Sequence, residues 1–317
     1  MIVTEIPQVN LSLFREGTRE AQNHFTEALG QAFRNIGFVI VREHGISAQL
    51  IEDFYREAEA FFALETEVKK KYDIVGMAGQ RGYTSFGKEH AKQSQVADLK
   101  EFFQIGQDRL PEGASERDYP ANITVAERPD FLKKGLELFH AFEDTGAYLL
   151  RSIARFLDLP DTYFDERIQH GNSILRAIHY PPITREPESA IRAEQHEDIN
   201  LITLLVGASA GGLQVLNRNG DWIEAQPEGN EIVINVGDML QRLTNNHLTS
   251  TTHRVINPPR ELWDTPRLSI PFFLHPRSEM DLSCLESCVS DADPAAYEPI
   301  TAGDYLDERL REIGLKK

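Results

Sequence analysis

Cysteine is scarce. Two in 317 residues, Cys284 and Cys288, stand four apart. That excludes the disulfide framework of a small secreted domain and leaves too few soft ligands for a thiolate metal site. Basic residues are outnumbered: 33 Lys and Arg against 50 Asp and Glu leave a net charge of −17. A nucleic-acid binder needs a basic face, so no nucleic-acid partner is expected. The longest basic run, Lys69, Lys70 and Lys71, reads as a solvated helix end. No apolar run approaches the roughly 20 residues that span a bilayer. The stretch Met1 to Asn10 has neither the basic nor the apolar region of a signal peptide. The expectation is a protein of reducing cytoplasm with no membrane partner; the sequence leaves its oligomeric state open.

The length suits two domains or one large one. Ile6 to Leu11 alternates like a short strand. Thr18 looks like an N-cap for a helix whose apolar face carries Phe25, Leu29, Phe33 and Ile36, and Gly37 stops it. Phe38 to Val41 reads as a buried strand. Ser47 opens a second helix, with Ile51, Phe54, Ala58, Phe61 and Phe62 on its buried face. Residues 74–125 have little periodicity and read as loop with short elements, a length often used for binding segments. A long helix follows Pro129 and ends before Pro160.

From about residue 173 the apolar period changes from 3.6 to 2. Short segments at 173–180, 199–206, 212–216, 221–225, 231–236, 251–256 and 267–274 read as strands, with Asn219-Gly220 as a hairpin turn. Strands at this spacing predict a β-sandwich or barrel. The tail, Tyr305 to Leu315, returns to helix. The expected fold class is α+β: a helical N-terminal region (1–125), a long helix and β core (126–300) and a closing C-terminal helix (301–317).

Most of the ten histidines read as surface or structural: His24 and His140 on helices, His90, His170 and His247 in polar surroundings, His44 in a turn. His196 and Asp198 differ. They stand at i and i+2 beside a strand-like run, so alternation puts the imidazole and the carboxylate on one face and Glu197 on the other. His253, in another β-like run, offers a second imidazole. Two imidazoles and one carboxylate can form the facial triad of non-haem iron(II) oxygenases, which leaves coordination positions open. Fourteen residues on, Arg267 and Ser269 share a strand face, and a guanidinium beside a hydroxyl is suited to gripping a carboxylate. A charge directed into a β core is costly unless paired, and a bound anion would pair it.

Here the chain resembles the isopenicillin N synthase-like branch of the iron(II)/2-oxoglutarate-dependent oxygenases, over nearly its whole length. The features that carry the resemblance are the Ile6-Pro7 opening, Gly37-Phe38 followed by Glu43-His44-Gly45, the helix end from Phe61 to Tyr72, His196-x-Asp198, His253-Arg254-Val255 and Arg267-x-Ser269, in that order. The resemblance implies a double-stranded β-helix (jelly-roll) core. It implies that His196, Asp198 and His253 bind Fe(II), and that Arg267 and Ser269 hold the distal carboxylate of 2-oxoglutarate. Tyr180 matches a tyrosine that helps bind the same cosubstrate. The asparagine the family places two residues before it is Ile178 here, which removes one polar contact.

The activity so implied is oxidation of a small-molecule C–H bond by O2, by hydroxylation, desaturation or ring closure, with release of succinate and CO2. Two alternatives stand beside it: an iron oxidase of the same fold that does without 2-oxoglutarate, like isopenicillin N synthase or aminocyclopropane-carboxylate oxidase, and a non-catalytic ligand-binding jelly roll. On the substrate side, alternation places Arg176, Ile178 and Tyr180 on one face, and Phe273 shares its face with Arg267 and Ser269. His179 should face outward or toward the helices. A cation beside apolar walls would suit a substrate with an acidic group; the competing reading pairs Arg176 with one of the chain's many carboxylates.

Overall fold

The computed structural model describes residues 3–312, apart from 75, 78–79, 90–96, 111–112, 117 and 188. The surface histidine expected at 90 and the last turn of the closing helix lie outside the described residues.

Eight helices are described: α1 (Ser12–Arg15), α2 (Arg19–Asn35), α3 (Ala48–Phe62), α4 (Thr66–Lys69), α5 (Pro129–Phe156), α6 (Asp165–Ile168), α7 (Asp238–Leu243) and α8 (Ala302–Glu312). The strands are β1 (Gln8–Asn10), β2 (Phe38–Arg42), β3 (Gly82–Thr84), β4 (Glu101–Gly106), β5 (Ile174–Tyr180), β6 (Ala193–His196), β7 (Ile202–Val206), β8 (Leu213–Leu216), β9 (Trp222–Glu224), β10 (Ile232–Val236), β11 (His253–Val255) and β12 (Arg267–Leu274). They form an eight-stranded sheet, β1-β2-β10-β7-β12-β5-β4-β3, and a four-stranded sheet, β6-β11-β8-β9. This is the jelly-roll core with helices on one side that the sequence led us to expect.

Local chemistry accounts for the helix ends. The Thr18 side chain accepts a hydrogen bond from Ala21 N and caps α2. Gly37 leaves the helix at φ +70, and a Cβ there would stand 2.1 Å from the Thr249 carbonyl, so only glycine makes this turn into β2. Pro129 opens α5 at its first turn, where its missing N–H costs nothing. The buried face of α5 packs on the large sheet: Phe139 and Phe142 meet Phe272 of β12 at 4.9 and 5.3 Å between ring centroids. A second apolar layer lies between the sheets and joins Phe38, Phe102 and Ile178 to Leu213, Val215 and Val255.

All seven strands expected after residue 173 are present within three residues of the expected bounds. Three others were not anticipated. β3 and β4 lie in the segment read as loop, and they extend the large sheet beyond β5. The short β6 ends at His196.

Lys69 is not solvated as expected. Its ammonium is buried and donates to both Glu101 oxygens, at 2.8 and 2.9 Å, and to the Phe62 carbonyl at 3.0 Å. Tyr83 and His179 also bond Glu101, and His179 stacks on Phe62 of α3, so it faces the helices as expected. Burial opposes the Glu101 charge, but these hydrogen bonds outweigh it and hold the carboxyl below its usual range. The network ties α4 to β4 and β5 and so fixes which face of β4 meets the space between the sheets. Lys69→Met should strip this buried carboxylate of its cation and cost about 3 kcal/mol in urea unfolding at pH 7. Because the folded Glu101 pKa is depressed, the difference between wild type and variant should shrink as pH falls below about 4, where the unfolded-state glutamate protonates. A difference that persists unchanged at acid pH would contradict this account.

Candidate metal centre and the cavity beside it

β6 and β11 pair with His253 opposite His196, and the ring centroids lie 4.4 Å apart. His196 Nδ1 donates to the Glu194 carbonyl at 2.7 Å, and His253 Nδ1 donates to the Thr251 carbonyl at 3.0 Å. Each ring therefore carries its proton on Nδ1 and presents a lone pair on Nε2, the form that ligates metals. The two Nε2 atoms stand 3.9 and 3.8 Å from Asp198 Oδ1. Burial, and then the neighbouring His253, push His196 down to about 4, so the ring is neutral at pH 7.

Asp198 completes the group, though not by strand alternation: β6 ends at His196, and Asp198 lies beyond it. Its position comes from the large sheet. Oδ2 accepts from Thr203 Oγ1 at 2.6 Å and from Asn235 Nδ2 at 2.8 Å, which leaves Oδ1 turned to the histidines. Burial works against its charge, but the imidazoles and these two hydrogen bonds prevail and keep the carboxyl below its usual range. Glu197 is engaged elsewhere, by the Thr252 hydroxyl at 2.9 Å. The three donor atoms lie within 4.8 Å of one another. Two neutral nitrogens and one carboxylate oxygen suit a divalent transition metal with positions left open.

A cavity of about 1010 Å³ runs between the sheets from this cluster. Its floor is the pair β5 and β12, in register Arg267 with Tyr180, Ser269 with Ile178 and Phe273 with Ile174. At one end Arg267 is 2% exposed. Its Nε donates to the Ala210 carbonyl at 3.0 Å, its guanidinium lies 5.0 Å from the Tyr180 ring centroid, and Nη1 has no partner. The sequence did not single out its companion Arg192, which is also buried and stands 6.0 Å from the same ring with Nε unpartnered. Desolvation and the Arg267 charge lower Arg192 to about 10. Two buried guanidiniums, with no acid partner among the described residues, could hold an anion. The visible signal was a charge set between Ile191 and Ala193.

Arg176, Ile178 and Phe273 all line the cavity. Of the two readings of Arg176, the structure shows the pairing with a carboxylate, made within the cavity wall. Its Nε donates to Gln104 at 3.0 Å, its Nη1 lies 3.4 Å from Glu89, and the guanidinium sits 4.2 Å from the Phe102 ring centroid and 5.2 Å from that of Phe273. Lys100 bridges Glu89 and Asp98 at 2.8 Å each. Burial alone would raise Glu89, but Lys100 and Arg176 bring it to about 2. Two cations and two anions thus cancel within this wall. From α8, Leu306, Arg309 and Leu310 also line the cavity.

The comparisons with known proteins agree with this geometry. The family described as "non-haem dioxygenase in morphine synthesis N-terminal" matches residues 6–127, and the "2OG-Fe(II) oxygenase superfamily" matches residues 171–276. The 2-oxoglutarate-Fe(II) type oxidoreductase ppzC of Metarhizium rileyi is 30% identical, over 98% of this chain and 88% of its own. A crystal structure of a 2OG-Fe(II) oxygenase family protein from Caulobacter crescentus superposes with a TM-score of 0.88 at 42% identity, covering 98% of this chain and all of that one. A full-length Neurospora crassa protein crystallised in complex with alpha-KG and thymine has a TM-score of 0.85 at 29% identity, covering 96% of both chains. Fold and donor set define a jelly-roll oxygenase of the non-haem iron class. The chain belongs to the 2OG-Fe(II) oxygenase superfamily, and it is an Fe(II)- and 2-oxoglutarate-dependent dioxygenase. No described helix is long and apolar enough to cross a membrane.

Proposed function

We propose that His196, Asp198 and His253 hold the single Fe(II), that Arg267, Ser269 and Tyr180 hold the distal carboxylate of 2-oxoglutarate with Arg192 behind them, and that a small neutral molecule is oxidised beside Arg176, Ile178 and Phe273. The observation that carries this reading is the convergence of three donor atoms in a cavity lined by Tyr180 and Ser269, with the unpartnered guanidinium nitrogens of Arg267 and Arg192 buried close to the Tyr180 ring. Bound there with 2-oxoglutarate and O2, iron supplies the oxidising power to attack a C–H bond, with release of succinate and CO2.

The chain's own contribution is placement. Thr203 and Asn235 orient the carboxylate of Asp198, and the Glu194 and Thr251 carbonyls set the two imidazole tautomers. Ile178 and Phe273 give the reacting carbon an apolar floor that excludes water. The internally neutralised wall of Arg176, Glu89, Lys100 and Asp98 offers hydrogen bonds without net charge, which favours an uncharged polar substrate over an acid. The thymine bound by the Neurospora crassa relative is a molecule of that kind.

Asp198→Ala should abolish turnover and remove high-affinity Mn(II) or Fe(II) binding measured by calorimetry. Thr203→Val, which removes one hydrogen bond from the carboxylate and one from Asn200, should weaken metal affinity by about 10–100-fold in a folded protein. An Asp198→Ala protein that keeps metal and activity would refute the assignment. Arg267→Leu should raise the 2-oxoglutarate Kd by about 10–100-fold, since a charge-assisted hydrogen bond contributes roughly 1.5–3 kcal/mol. Unchanged 2-oxoglutarate affinity in that variant would remove Arg267 from the site.

A further inference from the structure

The cavity floor continues past the residues assigned above. Extending the register of Phe273 with Ile174 by two residues sets His275 opposite Asn172, and the backbones remain joined there: Asn172 N donates to the Pro276 carbonyl at 3.2 Å and His275 N to Ser173 Oγ at 3.1 Å. Both side chains line the cavity and both are more than nine-tenths buried. His275 Nδ1 donates to the Phe273 carbonyl at 3.2 Å, so Nε2 carries a lone pair, and neither Nε2 nor Asn172 Oδ1 has a partner.

A third group without partners lies against Gly106 of β4, next in sequence to Gln80, which lines the cavity. In β4, Gly106 pairs with Ile174 and shares the cavity face with Gln104. The Arg81 guanidinium occupies the place of the missing side chain: a Cβ on Gly106 would stand 1.9 Å from Arg81 Cζ. Arg81 is 1% exposed, with Nε and Nη2 unpartnered and no acid partner among the described residues. Two unused acceptors and an unused donor pair thus gather at one end of the floor. Left buried and unmet, each destabilises the fold.

The place is significant. Phe273 pairs with Thr203, and Thr203 with Asn235, the two residues that hold Asp198. That row carries the two residues that hold Asp198; Arg267 and Ser269 lie along β12 to one side of it and His275 to the other.

We infer that Asn172, His275 and Arg81 form the substrate-recognition station of this enzyme. It takes two N–H hydrogens beside an oxygen acceptor, such as the N1–H, C2=O, N3–H edge of a pyrimidinedione or the head of an α-amino acid. N–H hydrogens go to Asn172 Oδ1 and His275 Nε2, the oxygen accepts from Arg81, and the neighbouring ring carbons lie over Ile174 and Phe273 at the level of Asp198. The inference rests on the metal and cosubstrate assignment proposed above.

Calorimetry on the Mn(II)-loaded protein tests both in sequence. The first titration, with 2-oxoglutarate, tests the assignment; no binding would sink it and the station with it. The second adds thymine, or L-proline, to the loaded complex. At least one should bind, and its N-methylated counterpart (1,3-dimethylthymine or proline betaine) should bind at least about tenfold more weakly, because it has lost the donors the site is built to meet. His275→Phe and Asn172→Leu should each weaken the bound probe about tenfold, while His275→Gln, which restores an acceptor, stays within about threefold. Arg81→Met should also weaken it, with normal 2-oxoglutarate binding showing that each variant is folded. If neither probe binds, or if the bound probe is indifferent to N-methylation and to these substitutions, the station is wrong while the cosubstrate assignment stands.

Discussion

One carboxylate joins the two sheets. Asp198 follows the last residue of β6 in the small sheet, yet both hydrogen bonds to its Oδ2 come from the large one, from Thr203 in β7 and Asn235 in β10, which face each other in register. Hydrogen bonds to a charged acceptor contribute roughly 1.5–3 kcal/mol each, and they gain when water is excluded. Its backbone is held as well: Asp238 N donates to the Asp198 carbonyl at 2.7 Å. The distance from Asp198 Oδ1 to the two histidines is therefore a distance between sheets. Whatever fixes their separation, above all the apolar layer around Phe38, Ile178, Val215 and Val255, also fixes the donor triangle.

Buried cations divide into two sets. Lys69, Lys100 and Arg176 each have a protein carboxylate within 3.4 Å, so their charges serve the architecture. Arg81, Arg192 and Arg267 are buried more deeply still and have none among the described residues. An unmet buried guanidinium is destabilising, and it persists where a ligand supplies the partner. The unpartnered set is also the more deeply buried one. The inventory of partners shifts attention from Arg176, the cation sequence alternation brings forward, to Arg81, which no pattern marks.

The sequence reveals what depends on period and on residue type. The group His196, Asp198 and His253 was readable because ligand chemistry restricts the residues and their order along the chain. Strands with two-residue alternation were readable for the same reason. β3, β4 and β6 were not. They are short, and β4, Glu101 to Gly106, is buried along its whole length with Glu101 and Gln104 inside, so its pattern is not that of a half-buried strand. Asp198 was found for the wrong reason: alternation placed it, whereas long-range hydrogen bonds do. Thr203 and Asn235, the polar members of apolar strands, carried a signal that could have been used. The pairing of Arg176 with Glu89 joins residues 87 apart in sequence, and nothing local encodes it.

On the proposed assignment, donor and acceptor inventory would also keep the two ligands apart. The cavity must admit an anion and a second molecule through a protein of net charge −17. At the Arg267 end every group offered is a hydrogen donor: two guanidiniums, the Ser269 hydroxyl and the Tyr180 phenol. A carboxylate there meets only attraction, and its charge offsets the repulsion between Arg192 and Arg267. At the other end Arg81 alone donates, while Asn172 Oδ1 and His275 Nε2 present lone pairs. A second 2-oxoglutarate carboxylate at that end would set its oxygens against two acceptors to satisfy one cation. A molecule that brings its own N–H groups avoids that penalty. The same cavity can therefore accept a dicarboxylate at one end and disfavour it at the other, without a steric gate, because unpaired acceptors act as negative selection against anions.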